Sequence, residues 1–331
     1  MSSAEAIERF DCFGGVCAVA VSGDGPAGSA ADAAAWARSR LLAWHDQFSR
    51  FTSDSELSRL NADPRAEVRV SPLMAYLAAG ARYAAELTGG LVDATLLGEL
   101  RAAGYAHELP SRLPLDLALA LAPARRPASA SPAGRWRALG VDARTGTVTR
   151  PPGLKLDSGG LAKGLFADVL AETLSGHETF AVDCGGDLAV GGSASSARTI
   201  EVQSPFDGDV LHAFKLGRTG VATSGIGRRA WLGADGLPSH HLLDPATGRA
   251  AYTGVVQATA LAPSALLAEV HAKAAVLSGP EEGARWLRWG GVLVLDDGSH
   301  RVIERRRLRA GMERRPDLLD VFRRGRRWVP A

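Results

Sequence analysis

The sequence predicts an α+β fold with a mixed, mostly antiparallel sheet and packed helices. Short apolar runs typical of strands alternate irregularly with longer helical patterns, and some strand pairs are separated only by hairpin turns. No internal repeat at a fixed period is present. With 331 residues, 46% of them hydrophobic and 22% charged, the chain has a globular composition and is long enough for one large domain or two medium ones.

Charge and cysteine content exclude several classes of protein. A formal net charge of +2 is too small to indicate a nucleic acid or an anionic membrane as partner. The cysteines, Cys12, Cys17 and Cys184, form no C-x-x-C pair, which argues against a zinc ribbon or a thioredoxin-like pair, and their odd, low number gives no support for a disulfide framework. Residues 1–10 do not resemble a secretory signal, and no apolar run is long enough to span a membrane. We therefore expect a cytoplasmic protein.

The first third of the chain shows clear start and stop signals. The Ser-Asp-Ser-Glu sequence at 53–56 supplies side-chain oxygens that can cap a short helix. Gly89-Gly90 ends the helix predicted at 72–87. The predicted elements are a first strand at 16–21, a helix at 29–47, a polar loop at 48–61 and a helix at 72–87.

Residues 109–134 are rich in Pro, Ala and Ser and are predicted to form an exposed excursion. The arginine-rich tail at 304–331 is predicted to be a solvated surface element, with an anionic partner as the alternative. The elements predicted between them are a hairpin at 135–150 with its turn at 142–146, helices at 161–174 and 264–277, and strands at 180–183, 199–203, 213–217, 255–262 and 291–295.

The densest chemical signal is Asp-Ser-Gly-Gly-Leu-Ala-Lys-Gly at 157–164, between a strand and a helix. Paired glycines let the backbone approach a ligand and adopt positive φ, and the free amides of a helix N-terminus suit phosphate. Lys163 lies in the first helical turn, where it can meet an anion. The alternative is a tight turn with a surface lysine.

Three further segments carry polar groups next to turns. A second glycine pair, Gly185-Gly186, is flanked by acids, and its alternative is a bulge or hairpin end. Residues 221–225 form a small-residue loop with two hydroxyls, on Thr223 and Ser224. His241 precedes the turn sequence Asp-Pro-Ala-Thr-Gly, although a lone histidine is more often structural.

The helix at 264–277 carries Glu269 and Lys273 on one face. On a surface this i,i+4 ion pair would contribute only about 0.2–0.5 kcal/mol. The helix is mostly Ala, Leu and Val, however, so its two charges need a stronger reason to be buried.

Taken together and in chain order, these segments resemble the ApbE family of FAD:protein FMN transferases, from about Phe13 to about Ile303. Thr88–Thr95 resembles the family's Gly-x-Phe-Asp-x-Thr segment, and Asp157–Gly164 its Asp-x-Gly-Gly-x-Ala-Lys-Gly signature. His241–Gly248 is similar to its His-x-x-Asp-Pro-x-Thr-Gly segment. The resemblance implies one ApbE-like, T-fold-like domain over 1–331.

The resemblance also implies roles for individual residues. In the reaction that it implies, a Thr or Ser hydroxyl of a target flavoprotein attacks the FMN phosphorus of FAD, and AMP leaves. Magnesium and a lysine neutralise the pyrophosphate, and the carboxylate or imidazole of Asp157 or His241 takes the hydroxyl proton. The implied FAD contacts are Phe51, Leu91, Val92, Asp93, Asp157, Lys163, Thr223 and Ser224; His241 lies near the reacting phosphate, and the Gly160 carbonyl faces the metal.

The metal position departs from the family pattern. Where the family places Asp and, four residues later, Thr as magnesium ligands, this chain has Glu269 and Lys273. Glutamate can still ligate magnesium, but an ammonium group carries only hydrogen-bond donors and cannot ligate a metal ion. We therefore expect the Lys273 ammonium near the magnesium position, paired with Glu269. An FAD-binding protein without transfer activity and an FAD pyrophosphatase stay open as alternatives to the transferase.

Overall fold

The structure is a computed structural model that describes residues 4–107, 112–194, 196–233 and 235–305. The helices in these ranges are α1 (Ala30–Phe48), α2 (Glu56–Ala62), α3 (Pro72–Leu87), α4 (Leu97–Ala102), α5 (Leu115–Ala120), α6 (Ala162–Leu174) and α7 (Ala265–Glu282). The strands are β1 (Glu5–Cys12), β2 (Gly15–Ser22), β3 (Glu67–Arg69), β4 (Gly140–Asp142), β5 (Thr147–Thr149), β6 (Thr179–Asp183), β7 (Asp187–Gly191), β8 (Arg198–Gln203), β9 (Val210–Leu216), β10 (Thr219–Gly225), β11 (Ala230–Leu232), β12 (Pro238–His240), β13 (Leu243–Asp244), β14 (Arg249–Ala250), β15 (Val255–Ala262), β16 (Gly291–Leu295) and β17 (His300–Ile303).

An eight-stranded sheet in the order β1-β2-β6-β7-β10-β15-β16-β17 forms the centre of the molecule. Every neighbouring pair in it is antiparallel. The central strand β15 is buried on both faces, which explains its nearly continuous apolar sequence. The predicted α+β class is confirmed, and the sheet is antiparallel.

Three helices form a layer on this sheet. α1 packs against β1 and β2, α6 against β6 and β7, and α7 against β10 and β15. α6 contacts both α1 and α7, so the layer is continuous. All three cysteines are buried and free. None of the helices described is long and apolar enough to cross a membrane.

Two contacts fix α7 against α6. A Cβ at Gly164 would lie only 2.7 Å from the carbonyl oxygen of Ala265, so glycine allows the two helices to approach closely. The carboxylate of Asp168 on α6 accepts hydrogen bonds from the amides of Ala265 and Leu266, at 2.7 and 2.9 Å. These bonds satisfy amides at the start of α7 and so set the position of its side chains relative to α6.

Most predicted elements are confirmed within a few residues. The helices at 29–47, 72–87, 161–174 and 264–277 are α1, α3, α6 and α7, and Ser55 caps the short helix α2, which occupies the end of the predicted loop at 48–61. The predicted strands at 180–183, 199–203, 213–217, 255–262 and 291–295 are β6, β8, β9, β15 and β16.

Some local predictions are wrong. The strand predicted first is β2; β1 precedes it, and its four charged residues, typical of an edge strand, hid the strand pattern. In the predicted hairpin at 135–150, Arg135–Ala138 forms a 3-10 helix and the strands are β4 and β5.

The segment predicted as an exposed excursion, 109–134, contains helix α5. After this helix, backbone hydrogen bonds join the segment to the rest of the fold. The amides of Arg126 and Ala128 donate to the carbonyl oxygens of Tyr252 and Leu277, at 3.0 and 2.9 Å. Many side chains in this segment are exposed. Residues 109–111 of it, and 306–331 of the predicted tail, lie outside the described residues.

Candidate functional site

A cavity of about 380 Å³ lies between the first turn of α6, helix α7 and several loops. Residues 48–51, 91–94, 157–161 and 241–243 contribute to its wall. Segments that are far apart in the chain, each marked by a motif, therefore meet at one place. A concave site with a few convergent polar groups is typical of small-molecule binding.

The wall of this cavity carries an excess of positive charge. Among the described residues that line it, six side chains are arginine or lysine and two are aspartate. Such an excess favours an anionic ligand. The cations are Arg50, Arg112, Lys163, Arg228, Arg229 and Lys273, and the acids are Asp93 and Asp157.

Arg50 connects two of the predicted FAD contacts. Its Nε lies 3.4 Å from Oδ1 of Asp157, and its Nη1 donates to the carbonyl oxygen of Tyr105 at 2.6 Å. Its Cζ lies 4.3 Å from the ring centre of Phe51 and 4.2 Å from that of Tyr105. A buried guanidinium held by a carboxylate and two aromatic rings has little freedom, so it fixes Phe51 and Asp157 relative to each other.

The predicted contacts at the apolar part of the wall all border the cavity. The ring of Phe51 is 40% exposed, while Leu91 and Val92 are buried. Asp93 Oδ1 accepts hydrogen bonds from the amide and the hydroxyl of Thr95, at 2.8 and 2.7 Å. Burial raises the pKa of Asp93. An exposed aromatic ring beside buried apolar side chains is suited to a planar ring system.

The glycine turn at 157–164 brings backbone to the cavity wall, but its adjacent glycines, Gly159 and Gly160, do not have positive φ. That part of the expectation is wrong for Gly159 and Gly160, and it holds instead at Gly185 and Gly186, with φ of 74° and 101°. A Cβ at Gly160 would lie 3.6 Å from Cε of Lys273, an ordinary contact distance, so the arm of Lys273 runs beside this turn.

Lys163 lies in the cavity wall and is paired with an acid that the motifs did not assign a role. Its Nζ forms an ion pair with Asp187 on β7, whose side chain is almost completely buried. Burial lowers the pKa of Lys163, but the charges of Asp187 and Glu269 outweigh burial and raise it overall. The ammonium is therefore charged at neutral pH, next to the start of α6.

Glu269 and Lys273 form an ion pair beside the same helix start. Nζ of Lys273 lies 2.8 Å from Oε1 of Glu269, while Oε2 accepts a hydrogen bond from the amide of Gly164 at 2.9 Å. Burial raises the pKa of Glu269, but the charges of Lys273 and Lys163 outweigh burial and lower it overall. Lys273 also lines the cavity. The buried carboxylate thus holds an ammonium group at the cavity wall.

The side chains at this position do not fit the magnesium site that the family pattern implies. Both oxygens of Glu269 are already bonded, to an ammonium and to an amide, and Lys273 offers hydrogen-bond donors only. Nowhere in the described ranges do three or more His, Cys, Asp or Glu side chains converge as metal ligands. Magnesium in proteins is usually held by one or two carboxylates, with water and substrate phosphates completing its coordination; here the one carboxylate is shared by an ammonium and an amide.

The two adjacent histidines have different surroundings. His241 lines the cavity, whereas His240 is fully buried, with its ring packed edge-on against Tyr252. Burial lowers the pKa of His241 well below its usual value, and the charges of Arg229, Lys273 and Lys163 lower it further. Within the described residues, its buried Nδ1 has no hydrogen-bond partner. The imidazole is therefore neutral at neutral pH.

Thr223 and Ser224 are not in the cavity wall. The predicted loop at 221–225 is part of strand β10, which pairs with both β7 and β15. The Thr223 hydroxyl lies 2.9 Å from that of Thr259 on β15, and Ser224 is buried. The loop prediction is wrong because the pairing partners of this small-residue segment are distant in the sequence.

The chain is similar to known proteins in sequence and in structure. A family model described as the ApbE family matches residues 13–295. A Vibrio cholerae protein named FAD:protein FMN transferase is 30% identical over 251 residues, covering 72% of this chain and 71% of the relative. A Salmonella typhimurium protein of the same name is 27% identical over 255 residues, covering 74% of this chain and 71% of the relative.

Solved structures show the same fold. The ApbE protein of Thermotoga maritima superposes with a TM-score of 0.71 at 24% identity, covering 92% of this chain and all of that chain. The flavin transferase ApbE of Vibrio cholerae gives a TM-score of 0.69 at 23% identity, covering 91% of this chain and 97% of that chain. At these identities the likeness establishes the fold alone.

Proposed function

This chain belongs to the ApbE family, and on that premise we propose that it is an FAD:protein FMN transferase. Its substrate is FAD, and its acceptor is a Thr or Ser hydroxyl of a flavoprotein. The observation that carries the proposal is the cationic cavity, in which Lys163, Lys273 and a neutral His241 share one wall. An anionic diphosphate and a hydroxyl that must lose a proton need these groups.

The reaction is an in-line displacement at the FMN phosphorus. The acceptor hydroxyl oxygen forms a new bond to that phosphorus, and the anhydride bond to the AMP phosphate breaks. The hydroxyl proton moves to the imidazole of His241, which lines the cavity, and AMP leaves with the anhydride oxygen. The phosphoryl group needs little covalent help, so positioning and charge supply most of the rate.

The depressed pKa of His241 is compatible with this role once the substrate is bound. In the free protein, nearby cations disfavour the imidazolium. A bound diphosphate brings negative charge into the cavity, which offsets those cations and raises the basicity of the ring. Asp157 faces Arg50, an arrangement that favours binding over proton transfer.

The experiment that tests the function does not require the acceptor to be known. The purified protein is incubated with FAD and with an extract of the cells it comes from, and flavin fluorescence is then recorded in denaturing gels. We expect a fluorescent acceptor band together with AMP in solution, and neither when FMN replaces FAD, because FMN has no anhydride bond to break.

The alternatives give different results in the same experiment. A pyrophosphatase would release AMP and free FMN without a fluorescent band. A binding protein without transfer activity would give neither product while still binding FAD. Either result would contradict the proposal.

Replacing Asp157 by alanine should weaken FAD binding roughly tenfold or more, since a charge-assisted contact contributes about 1.5–3 kcal/mol. The substitution also frees Arg50, which then loses its ion-pair partner in the wall. The measurement is isothermal titration of FAD into both proteins. Asp54→Ala is the matched control, because Asp54 is an exposed acid outside the cavity wall. Equal affinity in wild type and Asp157→Ala would remove Asp157 from the binding site.

A further inference from the structure

The proposed transfer requires positive charge at the diphosphate, and the ion pair on α7 supplies one. We propose that the ammonium group of Lys273 takes the place of a divalent cation at the diphosphate, so that this protein binds and cleaves FAD without a metal ion. This inference rests on the proposed function and specifies how that site neutralises its substrate.

Lys273 lies between its ion-pair partner and the glycine turn at 157–164. Its Nζ is held at 2.8 Å by Oε1 of Glu269, a residue with no exposed surface. Its Cε would lie 3.6 Å from a Cβ at Gly160, so the arm of the lysine runs beside the glycine turn. The side chain lines the cavity and keeps 9% of its surface exposed. The ammonium is therefore buried enough to be fixed and open enough to meet a ligand.

Glu269 is itself fixed, which makes the ammonium a preorganised group. Its second oxygen accepts from the amide of Gly164, at the positive end of α6. An ammonium has three N–H donors, and the bond to Glu269 uses one. Two donors stay available for phosphate oxygens without any rearrangement of the carboxylate. Charge held in place before the substrate arrives stabilises a transition state without a reorganisation cost.

Magnesium binding at this position would require this arrangement to be broken. The ion would need an oxygen of Glu269, and both oxygens are bonded. It would also approach the Lys273 ammonium at a few ångströms, where two cations repel strongly in a partly buried site. The adjacent cations Arg228 and Arg229 line the same cavity, so the diphosphate has further partners that are not metals.

The test is isothermal titration of FAD in EDTA and in magnesium, for wild type and three variants. Wild type should bind FAD equally in both buffers. Lys273→Met and Lys273→Gln should bind roughly tenfold to a hundredfold more weakly, and magnesium should not restore the loss. Lys273→Gln keeps a donor for Glu269, so it covers the case in which Lys273→Met fails to fold. Lys273→Thr should bind weakly in EDTA and regain affinity in magnesium, because a hydroxyl and a freed carboxylate can ligate the ion.

Lys215→Thr is the matched control, since it removes the same charge from an exposed position on β9. It should behave as wild type in both buffers. Metal occupancy is read directly with Mn²⁺, whose EPR signal disappears from solution on binding. With FAD present, Lys273→Thr should take up Mn²⁺ and wild type should not.

The outcomes separate this inference from the proposed function. Wild type that binds FAD in magnesium but not in EDTA, or that takes up Mn²⁺, would overturn the role of Lys273 and leave the transferase intact. Wild-type affinity in Lys273→Gln would also overturn it. Wild type that binds no FAD in either buffer would instead contradict the proposed function.

Discussion

Replacing His241 by alanine should slow AMP release from FAD by about 10²–10⁴-fold, the usual contribution of a placed proton acceptor. FAD affinity should change little, because the diphosphate is held by the cations of the wall, and His241 acts on the acceptor hydroxyl. The ring is neutral before substrate binds, since burial and nearby cations depress its pKa. The measurements are AMP formation with acceptor present and isothermal titration of FAD.

The neighbouring histidine provides the control. His240→Asn keeps an acceptor near the position of Nδ1, which takes a hydrogen bond from the Leu242 amide at 3.3 Å. Because His240 is buried against Tyr252 and does not line the cavity, this variant should lose some stability and keep its turnover. Equal rates of AMP release in wild type and His241→Ala would show that His241 is structural. A similar loss in both variants would point to a general disturbance of the segment.

The parts of the site that could be predicted from the sequence are those whose signal is local. The turn at 157–164, the Glu269–Lys273 pair and the position of His241 each depend on neighbours within a few residues. Glycines before a helix, an i,i+4 spacing and a turn sequence after a strand are patterns of that kind. The structure places all three at one cavity.

The contacts that the sequence did not reveal join residues from distant segments. Arg50 donates to a carbonyl 55 residues further along the chain, and no pattern around Arg50 indicates it. Asp187 was visible only as an acid beside a glycine pair; its pairing with Lys163 depends on where β7 and α6 meet. Thr223 was predicted in a loop because strand pairing with β7 and β15 is not encoded in its immediate neighbours.

Replacing Glu269 by alanine should reduce the free energy of unfolding by about 3–5 kcal/mol, the usual effect of removing one partner of a buried ion pair. Three groups depend on this carboxylate. Lys273 loses its ion-pair partner, the Gly164 amide loses its acceptor, and Lys163 loses a nearby negative charge. Urea unfolding of the purified variant measures the change. Glu282→Ala on the same helix is the matched control, since its ion pair with Arg285 is about 60% exposed and should change stability by less than about 1 kcal/mol.

A second variant distinguishes loss of charge balance from loss of packing. In Glu269→Leu combined with Lys273→Met, both charges are replaced by apolar groups of similar volume. Such replacements of a whole buried pair are often neutral or stabilising, so the double variant should recover most of the stability lost in Glu269→Ala. If Glu269→Ala and the double variant have the same free energy of unfolding, lost packing around the Glu269 side chain accounts for the loss of stability. If it unfolds no more easily than Glu282→Ala, the pair behaves as a surface ion pair, and Lys273 is not held at the cavity wall by Glu269.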